Sequence, residues 1–150
     1  FLKKDGLFLF YVYRKKADVR EFTDDHVRKQ LSTMNNDEAW NALYPLSKLG
    51  KELGRFEDEE ITIEEDIPLL GIKKGTMSLQ RFFYWNICKM YYRDDYSLEE
   101  MNHINFDWFR PSNCFRHTEE EIISYCKNAG LVIDDIGTQE AGFTVIARKQ

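Results

Sequence analysis

The run Gly6-Leu-Phe-Leu-Phe-Tyr-Val-Tyr13, opened by Asp5-Gly6 and closed by Arg14-Lys15-Lys16, sets the tightest limit on what this chain can fold into. Its length, its turn residues and its aromatic and β-branched content predict a strand rather than a helix. Apolar side chains stand at both parities, so both faces of that strand are expected to be covered, as in the interior of an α/β sheet. The first structured residues therefore ask for neighbours on both sides. With 150 residues the chain fits one domain, or part of a larger one, and can enclose a core. Eleven Phe, eight Tyr and three Trp exclude a disordered polymer.

Charges interrupt every apolar stretch before it could cross a bilayer, so no membrane span is expected. The net charge of −5 argues against a nucleic-acid partner, whose phosphates need a basic face. Cys88, Cys114 and Cys126 are too few and too scattered for a disulfide scaffold and fit a reducing, cytoplasmic setting. The start Phe1-Leu2-Lys3-Lys4 lacks the order of a signal peptide, and the first residue is not Met, which reads as a processed chain or a piece of a longer one.

Beyond the first strand the pattern turns helical. Thr23-Asp24-Asp25 reads as a helix start, followed by the stripe Val27, Leu31 and Met34. A second helix is expected from about Asp37, with Trp40, Leu43 and Tyr44 inward. Pro45 should kink it, and Gly54 should end it. The acid-rich Glu57–Asp66 stretch brackets Ile61-Thr62-Ile63, read as a short strand or extended loop with a solvated surface. Leu79–Arg93 is predicted as a helix greasy on nearly all sides, which fits either core packing or a ligand-facing aromatic wall. Thr118-Glu-Glu-Glu121 is a capping box, and Gly130 is the stop of the helix it opens. Leu131–Ile136 and Gly142–Ala147 then read as a strand hairpin.

Several chemistries are missing. No two glycines are separated by a single residue, so no G-x-G nucleotide loop is present. Gly71-Ile-Lys-Lys-Gly75 lacks the Gly-Lys ending of a phosphate loop. No H-E-x-x-H or C-x-x-C occurs, and no metal site is expected. Cys114 and His117 have ligand-like spacing, but nothing marks an activated thiolate there.

Four segments carry a likeness. Leu2-Lys-Lys-Asp-Gly-Leu-Phe-Leu-Phe-Tyr-Val-Tyr13 resembles the Leu-Lys-Pro-Gly-Gly turn and following strand of class I S-adenosylmethionine-dependent methyltransferases, with Lys4-Asp5 standing where Pro-Gly is usual. Phe106-Asp-Trp-Phe-Arg-Pro111, Arg116-His-Thr-Glu-Glu-Glu121 and Ala129-Gly130-Leu131, with the two final strands, resemble the family's closing helix and hairpin. Trp40–Gly50 and Ile67–Gly75 are similar to the lid inserted in a bacterial subset of these enzymes.

The resemblance implies an α/β fold: a partial Rossmann-like methyltransferase sheet with a largely helical lid insertion at residues 15–110. Residues 1–150 would form the C-terminal part of one methyltransferase domain. In that family the seventh strand is antiparallel and lies between the fifth and sixth. This chain would hold the last three strands, and the glycine loop and ribose-binding acid that grip S-adenosylmethionine would lie upstream of Phe1. The implied partner is a small-molecule substrate. Substrate-facing residues would be Tyr13 and Arg14 at the strand end, Trp85, Tyr92, Trp108 and Arg110 on the lid, and Arg116. His117 is the candidate general base, since imidazole ordinarily titrates near neutrality; the plainer reading is a helix-start residue donating to a loop carbonyl. Asp107 would orient the substrate or His117, or cap a loop. The alternative reading is a non-catalytic binding or oligomerisation module that keeps the fold without a cofactor site. In either case the open edge of the first strand invites a homodimer.

Overall fold

The computed structural model describes residues 2–150, which form two compact units: residues 2–15 with Phe115–Gln150, and Lys16–Cys114 between them in sequence. The chain is mixed α/β, with a four-stranded mixed sheet, a two-stranded sheet and five α-helices among the described residues.

The sheet unit contains β1 (Leu7–Arg14), β4 (Arg116–His117), α5 (Glu119–Asn128), β5 (Leu131–Thr138) and β6 (Gly142–Lys149), in the strand order β4-β1-β6-β5. β6 runs antiparallel to both β1 and β5, so β1 and β5 point the same way with the last strand between them. The predicted capping box closes the start of α5: Thr118 Oγ1 accepts from the Glu121 amide at 3.2 Å, and Glu121 accepts from the Thr118 amide at 2.9 Å. Gly130 ends that helix at φ 66°, a conformation that favours glycine. At the other turn Asp5, not Gly6, takes the left-handed conformation, at φ 60°. Aspartate tolerates it better than most side chains.

α5 packs Ile122 and Cys126 on Phe143, Val145 and Ala147 of β6, with Phe10 and Val12 of β1 beside them. Each large apolar side chain so buried contributes about 1.5–3 kcal/mol. The opposite parity of β1 departs from expectation. Leu7, Leu9, Tyr11 and Tyr13 are exposed, Leu9 at 66%. The reason is coverage: α5 is the only helix of this unit among the described residues, and it covers one face. On the edges, β6 pairs with β1 from Leu7 to Tyr13, whereas β4 meets it only at Tyr13 and Arg14. Leu7–Val12 therefore keep an open edge among the described residues.

The other unit holds α1 (Asp18–Leu31), α2 (Asn36–Gly54), the hairpin of β2 (Glu60–Ile63) and β3 (Gly75–Ser78), α3 (Leu79–Asn86) and α4 (Leu98–Phe109). Its core gathers Leu31, Ala39, Leu43, Cys88, Met90, Trp108 and Phe109. Several expectations change here. α1 starts at Asp18 behind Ala17, and Thr23 lies inside it, donating to the Val19 carbonyl at 2.8 Å. α2 starts behind an Asn35–Glu38 capping box and continues through Pro45 without a break. Pro45 and Asn41 are exposed, so the carbonyl that loses its partner faces the solvent side. The opposite face is fixed on α4: Ser47 donates to Asn102 at 2.7 Å and accepts from Asn105 at 2.9 Å, all three buried. Gly54 is no left-handed stop. A Cβ there would sit 2.2–2.5 Å from the Tyr92 ring, so the glycine makes room for that ring.

The long aromatic helix is shorter than predicted. α3 ends at Asn86, whose side-chain amide donates to the Phe82 carbonyl at 3.2 Å, and Ile87–Arg93 continue without helix. Side-chain bonds of this kind compete with the helical ladder. α4 went unforeseen, although Ser97-Leu-Glu-Glu100 is a capping box: Ser97 and Glu100 cap each other at 3.2 and 2.8 Å.

Candidate functional site

The predicted residues divide between the two units. In the sheet unit, Tyr13 pairs with Arg116 and Arg14 with His117 where β1 meets β4, so these four stand together at the carboxyl end of β1. His117 is partly buried, its side chain 21% exposed, with Nδ1 3.9 Å from Glu121 Oε2 and its ring edge-on to Tyr125 at 5.5 Å. The Lys15 ammonium bonds Glu121 at 2.9 Å. That bond, then the Thr118 amide, hold the Glu121 carboxyl below the usual glutamate range. At 3.9 Å the pair makes no hydrogen bond, so Glu121 reaches the imidazole through its charge alone. Arg14 donates to the Gln139 carbonyl at 3.4 Å and lies 6.0 Å from the Phe143 ring centre. Tyr11 and Tyr13 meet edge-to-face at 5.7 Å on the uncovered face.

In the helical unit, Trp108 is buried and its indole N–H donates to Asp24 Oδ2 at 2.9 Å. Asp24 Oδ1 accepts from Arg20 Nε at 2.9 Å, and both side chains are about 1% exposed as residues. Arg20 also donates to the Tyr84 carbonyl. Lys89 Nζ lies 4.7 Å from the Trp108 ring centre, and its best acceptor is the Ile104 carbonyl at 3.4 Å. Burial, then the Arg20 charge, lower the Lys89 ammonium from 10.5 to about 8. Next to it, burial and then Asp24 push the Cys88 thiol up to about 12, so it is no thiolate nucleophile. Arg20, Asp24 and Lys89 escaped the sequence reading. The i, i+4 spacing of Arg20 and Asp24 was the available signal, whereas nothing local marks Lys89 as buried.

Asp107 is exposed on α4 and acts on Lys89 only through its charge. Arg110 holds the α1–α2 turn, donating to Asn36 Oδ1 at 3.1 Å and the Met34 carbonyl at 3.2 Å. Trp85 stands edge-on to Tyr84 at 4.7 Å, with Lys16 and Arg81 over its ring at 5.3 and 5.7 Å. Its indole N–H is buried without a hydrogen-bond partner among the described residues. Tyr92 lies apart from these, lining a polar cleft with Glu57, Asp58 and Arg93.

The three cysteines are free. Among the described residues no cluster of His, Cys, Asp or Glu could hold a metal ion, and no helix is long and apolar enough to cross a membrane. Compared with known proteins, the chain matches no family model, no curated protein and no solved structure.

Proposed function

We propose that this chain is the substrate-side portion of an S-adenosylmethionine-dependent methyltransferase acting on a small molecule. The observation that supports it most is the strand order β1-β6-β5 with the last strand antiparallel between two parallel ones. A Rossmann-like methyltransferase sheet ends in the same way. The open edge and uncovered apolar face of β1 fit a sheet that continues into a cofactor-binding half. Ligands of open α/β sheets bind outside the carboxyl ends of parallel strands, where Tyr13, Arg14, Arg116 and His117 gather.

Bound S-adenosylmethionine would supply an electrophilic methyl group on a sulfonium. The chain's own residues suit the remainder of the task. Aromatic faces such as Tyr11 and Tyr13 favour a cation. His117, beside the Glu121 carboxylate, takes the proton of the acceptor, and Arg14 and Arg116 position it.

Calorimetry tests this reading. The natural chain carrying the cofactor half is expected to bind S-adenosylmethionine, and residues 1–150 alone to bind it weakly or not at all. Absence of binding by both refutes it. In the active enzyme, His117→Ala retaining normal turnover removes His117 from the catalytic role.

A second reading is favoured by the same edge. Leu7–Val12 carry no proline, bulge or charge that would block strand addition, so two copies could pair there as a non-catalytic assembly module. Light scattering that gives a monomer at all concentrations rejects it.

A further inference from the structure

We propose that Lys89, buried on the Trp108 indole in the helical unit, is a nucleophilic amine that forms an imine with a small neutral aldehyde. The proposal goes beyond the methyltransferase reading and does not depend on it.

Lys89 is 8% exposed, and its Nζ lies 4.7 Å from the Trp108 ring centre. Among the described residues its side chain makes one hydrogen bond, a long one to the Ile104 carbonyl at 3.4 Å. No carboxylate touches it: Asp24 accepts from Arg20 through Oδ1 and from the Trp108 indole through Oδ2, both at 2.9 Å. The three donors of an ammonium here share one weak acceptor and a ring face. Burial on such terms favours the free amine. Consistent with it, burial and then the Arg20 charge lower the ammonium to about 8, so about a tenth of Lys89 is free amine at pH 7, about 300-fold more than in an ordinary exposed lysine. A desolvated lysine of this kind attacks carbonyl groups. Its neighbours do not compete, since burial raises both the Cys88 thiol and the Tyr84 hydroxyl and keeps them protonated.

Charge and space decide the class of ligand. Arg20 and Asp24 of α1, Asp107 of α4 and Cys114 beyond it act on the amine, and Arg28 of α1 stands over the same indole at 4.9 Å. An anionic ligand meets Asp24 and Asp107, and a cationic one meets Arg20. A neutral aldehyde escapes both costs. The Nζ lone pair forms the new C–N bond, the carbonyl oxygen leaves as water with the two amine protons, and one proton from solvent turns the imine into an iminium. That iminium carries the single positive charge the ammonium carried, and the Trp108 face still receives it. Space requires a short reagent. Residues 87–93 are neither helix nor strand, and side chains hold their backbone: the Lys89 amide donates to Asp24 Oδ1 at 3.4 Å and the Tyr91 amide to Asn105 Oδ1 at 3.1 Å. Local opening of such a segment breaks few bonds and admits a small molecule.

The experiment treats the 150-residue chain with propanal, traps the imine with cyanoborohydride, and reads the labelled lysines by peptide mass mapping. Each rate is taken relative to the exposed lysines together, which cancels the pH dependence of the reagents. At pH 7 Lys89 is expected to react at least tenfold faster than they do, its excess of free amine outweighing its burial. The ratio should fall steadily from pH 7 to 10.5, as the exposed lysines also lose their protons. Glyoxylate, an anionic aldehyde, should give a ratio at least threefold lower than propanal. Lys89→Met should remove the fast-labelled site and leave the labelling of the other lysines unchanged. In urea, where the chain is unfolded, the preference should vanish. Labelling of Lys89 no faster than that of the exposed lysines, a ratio independent of pH, an equal or higher ratio with glyoxylate, or a preference that survives unfolding each overturn the proposal.

Discussion

Replacing Lys89 by Met should make this protein more stable at neutral pH. Lys89 is 8% exposed, lies 4.7 Å from the Trp108 ring centre, and has no carboxylate in contact, since the buried Asp24 is engaged by Arg20 and Trp108. Burial lowers its ammonium from 10.5 to about 8, which corresponds to about 3 kcal/mol of penalty when the group is charged. Below pH 8 the amine is protonated in the folded and unfolded chain alike, and the full penalty stands. Between pH 8 and 10.5 the unfolded chain holds a proton that the folded chain does not, so stability rises with pH across that window. Lys89→Met keeps the apolar stem and removes the charge. It forfeits the cation–π contact, worth about 0.5–2 kcal/mol, so the net gain at pH 7 is about 1–3 kcal/mol. Urea unfolding of both proteins from pH 7 to 10.5 measures the difference, which should shrink as pH rises. A variant less stable than the parent at pH 7, or a difference independent of pH, refutes the reasoning.

Asp24→Asn leaves Arg20 as an uncompensated buried cation and should cost about 3–5 kcal/mol in urea unfolding. Gly54→Ala drives a Cβ to within 2.2–2.5 Å of the Tyr92 ring and should destabilise by about 1–3 kcal/mol. The accompanying displacement of Tyr92 should be visible in its ring chemical shifts. Thr118→Ala removes the hydroxyl that accepts from the Glu121 amide and should lower thermal stability by about 1 kcal/mol, with α5 fraying first in hydrogen exchange.

What the sequence determined by itself is local. The Thr118–Glu121 box, the Gly130 stop and the period-two strands of the final hairpin are satisfied within a few residues of where they are encoded, so α5, β5 and β6 were legible in advance. The run Leu7–Tyr13 likewise announced a strand. That only one of its faces would be covered was settled by which helix of the unit reaches it. Pro45 misled because a missing backbone hydrogen bond is tolerable when it lies on the solvent side and Ser47 anchors the opposite face on α4. The aromatic run after Leu79 misled because its apolar side chains are shared between a short helix and an irregular segment, a division that the Asn86 side chain makes and periodicity does not record. The Arg20–Asp24–Trp108 network and the buried Lys89 join positions more than 60 residues apart in the chain. Burial, and with it the cost of a charge, exists only once those segments meet.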